Sequence, residues 1–365
     1  MSKKYIIELD FYIGFAILFV VLIHANAAYF IDYQLSKYTV TGTLFNTINL
    51  EDYPNLLFGV TFNIIDKIIH IAVPMFIFAA GYKYAINNKS ENYSEYLFKK
   101  VRQVFKPFLV ISLIISFILL TKMILIENIG FLEVIYEFIK GLIKIFLGYN
   151  YAYQLWYVPM YLFIVLTYPI IDKIIKNDKI RMLLFVCLAL MWILAELYLP
   201  IVKIYPYPLS FIYYFYLFEL GVTVCIKGIK FGKYLTLIYT LSLIISVVLP
   251  VYLNSLITEL IIIPIGVLAL FNITREIVDS KILLTLSKYS FYIFLFHEPF
   301  FVSWTLSTLQ SLGMKNYFIV VGLATLVAIL CSLIVTNILA NIPGLSRLLN
   351  LSSFSYEKTK GIISK

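Results

Sequence analysis

Charge is scarce in this 365-residue chain: 13% of its residues are Asp, Glu, Lys or Arg, against about 25% in an ordinary soluble domain. With 62% apolar residues and a mean hydropathy of +0.92, water-soluble and disordered classes are excluded. Cysteine is nearly absent. Cys187, Cys225 and Cys331 are odd in number and lie inside apolar runs, so neither a disulfide framework nor a thiolate cluster is supported, and they read as buried small hydrophobes. The chain has three histidines and no zinc-ligand spacing, so no metal is expected. A glycine-rich phosphate loop, a dinucleotide fingerprint and a serine nucleophile elbow are also missing, which leaves nucleotide hydrolysis, bound-cofactor redox chemistry and serine hydrolysis without support. No internal repeat is visible; an inverted one would have favoured a transporter.

The formal charge of +9 could suggest nucleic acid, but the basic residues are scattered through short loops between apolar runs. They read instead as topology determinants and as attraction to anionic lipid. A span needs about 20 apolar residues to cross the hydrocarbon. Runs of that length predict about ten spans, near 11–30, 68–86, 104–124, 155–172, 181–199, 209–227, 233–252, 256–273, 287–306 and 317–340. The first is too long, and too well flanked by Glu8 and Asp10, to be a cleaved signal peptide. The segment 131–147 has Glu133, Glu137, Lys140 and Lys144 at helical spacing, and is expected to lie in the membrane interface. With both termini cytoplasmic, 22 of the 29 basic residues fall on the cytoplasmic side. The asymmetry degrades if 131–147 is made to cross. The expected architecture is therefore all-α, a polytopic transmembrane bundle over 1–345 with a cytoplasmic tail at 346–365.

Ionisable groups at membrane depth are costly and mark functional sites by default. His24 sits inside the first apolar run, about 21 Å along the helix from Asp10 at the inner edge. Its bland reading is a histidine hydrogen-bonded to a neighbouring helix for packing alone. His70 falls near the outer surface and reads as structural; Pro74 and Gly81 after it suggest a kink or close packing. His297 lies near the middle of the ninth span, followed by Glu298 and Pro299, and Pro299 leaves the carbonyls near Leu295 and Phe296 in need of other partners. Glu196, Glu219 and Glu259 are the other acids at depth. A histidine and a glutamate could be a general base with its orienting partner, or equally a proton relay. The basic run Lys99, Lys100, Arg102 and Lys106 at a cytoplasmic helix entrance is either a topology determinant or a site for donor phosphates.

Four blocks, ELDFYIGFAILFVVLIH, VPMFIFAAGYKY with the following FKKVRQVFKPF, QLWYVPMYLFIVLTYPII and SKYSFYIFLFHEPF, resemble in order and spacing the acyltransferase 3 family of integral membrane acyltransferases. The resemblance implies an O-acyltransferase in the plasma membrane. It would move an acyl group, acetyl foremost, from cytosolic acyl-coenzyme A to a hydroxyl of a cell-surface, cell-wall or lipid-linked glycan. Acyl-coenzyme A would be a co-substrate, with no resident cofactor. His24 would be catalytic, Lys99, Lys100 and Arg102 donor-binding, and Trp156 and His297 near the central cavity. Asp10, Glu298 and Glu219 are candidate supporting residues.

Two positions depart from the family pattern. Ile13 replaces an arginine eleven residues before the histidine, and Ala80 replaces a serine. Without that arginine Asp10 needs another cation, such as a lysine from another segment; otherwise activity is altered or lost. The competing reading is a transporter or exporter of a polysaccharide or lipid-linked intermediate, using Glu219, Glu298 and His297. A silent scaffold in glycan assembly is the third.

Overall fold

The computed structural model describes residues 7–32, 64–87, 92–127, 130–146, 153–175, 177–198, 210–248, 257–276 and 280–351. The expected outer loop at 31–66 lies almost wholly outside them, as does the tail from 352. All regular structure among the described residues is helical. The α-helices are α1 (Ile7–Asp32), α2 (Ala72–Asn87, entered through a helical turn at 64–69), α3 (Tyr93–Lys100), α4 (Lys106–Glu127), α5 (Phe131–Phe146), α6 (Tyr157–Ile174) and α7 (Asp178–Tyr198). They continue with α8 (Ser210–Lys227), α9 (Tyr234–Val248), α10 (Ile263–Glu276), α11 (Lys281–Phe296), α12 (Val302–Ser311), α13 (Tyr317–Ala340) and α14 (Pro343–Leu348).

The first helix is apolar on nearly every face, which suits a helix enclosed by others. Accordingly α1 is the hub, packed against α2, α10, α11, α12 and α13, with Tyr12, Ala16, Ile17, Val21 and Ala25 buried. Large apolar side chains are left outward on α4, α7, α9 and α13, including Phe117, Leu183, Ile244 and Leu326. Such a belt is intolerable in water and ordinary against hydrocarbon. Six helices among the described residues are long and apolar enough to cross a membrane: Ile7–Tyr29, Ile64–Asn87, Tyr93–Ile118, Gln154–Ile174, Thr258–Glu276 and Tyr317–Ala340. The chain is thus a multi-pass membrane protein. Segment 131–147, expected at the interface, forms amphipathic α5, which is not among the six.

Two sequence expectations are corrected here. The ninth span, 287–306, is not continuous, because α11 ends at Phe296 and Glu298 is extended (φ −125°, ψ 149°) before α12 resumes. Pro299 explains this: its ring disfavours helical geometry in the residue before it. The cysteines are not all buried, since Cys187 is exposed and Cys225 and Cys331 are half-buried. On helices facing hydrocarbon a thiol gains little by turning inward.

Close helix contact is built on small residues. A Cβ added at Gly81 would collide with the Phe218 carbonyl oxygen, and one at Gly221 with that of Phe78, so α2 and α8 meet nearly backbone to backbone. Gly14 does the same for α1 against Leu283 of α11. Because these contacts are rigid main chain, Gly81→Ala should cost about 1–3 kcal/mol through overpacking. It should lower the apparent melting temperature in detergent, and an unchanged melting temperature would contradict this packing.

Candidate active site

The break after α11 creates the first element of the site. Where a helix stops, its last carbonyls lose their amide partners. The His297 ring closes on this helix end: Nδ1 lies 2.9 Å from the carbonyl oxygens of both Ile293 and Phe294, the first of which also accepts from the His297 backbone N–H. Carbonyls only accept, so Nδ1 carries the proton and Nε2 carries the lone pair. Nε2 is buried and has no hydrogen-bond partner among the described residues. A buried acceptor without a donor is costly, at about 1–3 kcal/mol. Such a group is well suited to receive a hydrogen bond that forms during a reaction.

The second element is His24 on α1, half-buried, with its ring centroid 4.9 Å from that of His297 and the planes tilted by 50°. The two imidazoles thus come together across the α1–α11 contact, 273 positions apart in sequence. His70, the third histidine, stands at the turn that leads into α2. Its Nδ1 is 2.7 Å from the Asp66 carbonyl oxygen and 3.3 Å from Asp66 Oδ1. This residue was read from the sequence as structural and near the outer surface.

Around these rings, a 3₁₀ turn at Tyr153–Trp156 feeds α6 and delivers Gln154 and Trp156. Gln154 is buried; its Nε2 donates to the Glu298 carbonyl oxygen, and its Oε1 has no partner among the described residues. Trp156 packs on Tyr157 and Tyr214. The Glu298 carboxylate accepts from Ser303 Oγ at 3.1 and 3.3 Å. Asn26, two residues beyond His24, donates to Asp66 Oδ1 at 3.0 Å and accepts from Tyr317 at 2.6 Å. These bonds tie the His24 end of α1 to α13 and to the segment before α2. Gln154, Asn26, Asp66 and Tyr317 were not picked out from the sequence, although a polar Asn26 inside an apolar span was a usable signal.

The basic run divides. Lys99 and Arg102 line a cleft of about 640 Å³ with Ser94, Glu95, Phe98, Gln103 and Asn350. Lys100 turns the other way and donates from Nζ to Tyr161 OH at 3.2 Å. Tyr161 stacks on Tyr157 (5.8 Å), Tyr157 meets Phe294 (5.5 Å), and Phe294 meets His297 (6.1 Å). A continuous row of rings therefore joins Lys100 to the histidine pair.

Two acids named from the sequence sit elsewhere. Asp10 pairs with Lys83 Nζ at 3.6 Å and accepts from Ser287 at 3.3 Å, so a lysine of α2 supplies the cation, while Ile13 is packed into the apolar core. Glu219 is held by Arg181, Tyr168 and Thr223, in a network apart from the histidines. Glu259 accepts from Trp192 Nε1 at 2.8 Å, and the side chain of Glu196 lies outside the described residues. Among the described residues no group of His, Cys, Asp and Glu could hold a metal ion.

Comparison with curated proteins and with solved structures finds no match. A profile of the acyltransferase 3 family, described as an acyltransferase domain, matches residues 6–337. Because that span takes in the helices from α1 almost to the end of α13, the chain belongs to the acyltransferase 3 family and is a membrane acyltransferase.

Proposed function

We propose that this protein is an O-acyltransferase of the plasma membrane that moves an acyl group, acetyl foremost, from cytosolic acyl-coenzyme A to a hydroxyl of a cell-surface or lipid-linked glycan. The observation that carries the reading is the His24–His297 pair, with the His297 tautomer set by two backbone carbonyls. His24 acts as general base. It takes the acceptor's hydroxyl proton as the oxygen attacks the thioester carbonyl; the C–S bond then breaks and the departing thiolate receives that proton. His297 Nε2 orients the His24 imidazolium and stabilises it by accepting from it. Proton transfer of this kind contributes about 10² to 10⁴ in rate.

The ten-span arrangement with both termini cytoplasmic, argued from basic-residue asymmetry, puts Lys99 and Arg102 on the donor side and the histidines toward the outer side. Lys99 and Arg102 bind the donor's phosphates, and the row from Lys100 to His297 supports a donor arm lying along it. The transporter reading loses ground because Glu219, its midplane acid, is already satisfied by three side chains.

The test is acetyl-coenzyme A binding and turnover by the purified protein in nanodiscs. Arg102→Ala should weaken donor binding about 10- to 100-fold, the range for a hydrogen bond to a charged group. His24→Ala should keep binding and lose turnover. Well-folded wild-type protein that binds no acyl-coenzyme A would overturn the reading.

A further inference from the structure

The family match ends at 337, yet the chain beyond it is folded against the bundle. After α13 the chain turns at 341–342, forms α14 and then lays Leu349 and Leu351 into the interior, both essentially fully buried. Tyr292 of α11 donates from its hydroxyl to the Leu349 carbonyl oxygen at 2.7 Å, and Lys106 Nζ donates to that of Arg347 at 3.2 Å. The start of the expected tail at 346 is thus anchored as a strap. Between the two buried leucines stands Asn350, with φ of 58°, a left-handed conformation that Asn tolerates better than most residues. This turn brings Asn350 to the cleft that Ser94, Glu95, Phe98 and Lys99 of α3 also line, together with Arg102 and Gln103.

The lining suits a phosphorylated nucleotide. Lys99 and Arg102 supply cations for phosphate, Phe98 supplies an aromatic face for a base, and Gln103 and Asn350 supply amides that can both donate and accept at a base edge. Arg102 is exposed, so its guanidinium can reach a ligand in the cleft. We infer that the strap 343–351 forms one wall of the donor site and that Asn350 binds the nucleotide end of the acyl-coenzyme A. This rests on the donor proposed above and adds a specificity element outside the family match.

The experiment compares full-length wild type with Asn350→Gly in nanodiscs, using acetyl-coenzyme A, acetyl-dephospho-coenzyme A and acetyl-pantetheine as donors. Glycine keeps the left-handed turn and removes only the amide. The expected result is a KM for acetyl-coenzyme A raised about 3- to 10-fold, the worth of one net hydrogen bond, and a penalty confined to donors that carry the nucleotide. Tyr292→Phe, which frees the Leu349 carbonyl without altering a cleft residue, should raise the same KM in the same direction. If Arg102→Ala raises the KM while Asn350→Gly and Tyr292→Phe do not, the strap is no part of the site and the donor reading stands. An equal rise for acetyl-pantetheine would also overturn the inference. Failure of wild type to use any of the three donors would remove both proposals together.

Discussion

His24→Ala is expected to lower acyl turnover by about 10² to 10⁴ while the protein remains folded in the membrane and still binds donor. The size follows from what the ring does in the proposed reaction: without a base the hydroxyl must attack as the neutral alcohol, and the developing positive charge has no carrier. The fold should tolerate the change because α1 is held by Tyr12 to Val267 at 3.1 Å, by Asn26 to Asp66 and Tyr317, and by core packing along its length, none of which uses the imidazole.

His297→Ala should also lose turnover, and the double variant should be little worse than His24→Ala. Groups that act as one unit are non-additive. Because the His297 ring also donates at the end of α11, its variant should melt earlier than wild type. Turnover and thermal unfolding of the three variants decide the matter, and an active His24→Ala protein would sink the assignment of the base.

Arg181→Ala is expected to be the most damaging single change to stability, costing about 3–5 kcal/mol. Glu219 is fully buried, and its carboxylate accepts from Arg181 Nη1 at 2.8 Å, Thr223 at 3.0 Å and the Tyr168 hydroxyl. Arg181 also reaches Asp172 at 2.9 Å, and Asp172 accepts from Tyr84 at 3.1 Å. Four helices, α2, α6, α7 and α8, are thus tied through one guanidinium.

Removing the cation leaves a buried carboxylate without its charge partner, and that loss, more than the missing attraction, sets the cost. Replacing both partners, as in Arg181→Met with Glu219→Leu, should recover much of the loss because no unpaired charge remains. Thermal unfolding in nanodiscs reads the effect. An Arg181→Ala protein that melts with wild type would show that the network adds nothing to stability. If Glu219 were instead the proton site of a transporter, the double variant would lose transport rather than recover stability.

The membrane class was legible from the sequence because insertion into hydrocarbon is a local requirement: each run must be apolar over its own length, and each charge is written next to its span. His24 and His297 stood out for the same reason, since an imidazole inside an apolar run is visible one residue at a time. The kink at Glu298 was half legible, since Pro299 announced that carbonyls near Leu295 and Phe296 would need partners, but not that the His297 ring would turn back onto those of Ile293 and Phe294.

What the sequence by itself determined is therefore one-dimensional: an apolar, multi-span chain, its family blocks, and the depth of its rare polar groups. Only the tertiary structure decided which of those groups meet. It set His24 beside His297, gave Lys83 rather than an arginine at position 13 to Asp10, closed Glu219 into a network with Arg181, parted Lys100 from Lys99 and Arg102, and brought Asn350 to the basic cleft. The physical reason is that these pairings depend on which helix faces touch. That is settled by small residues such as Gly14, Gly81 and Gly221, which let backbones approach, and by packing summed over the whole bundle.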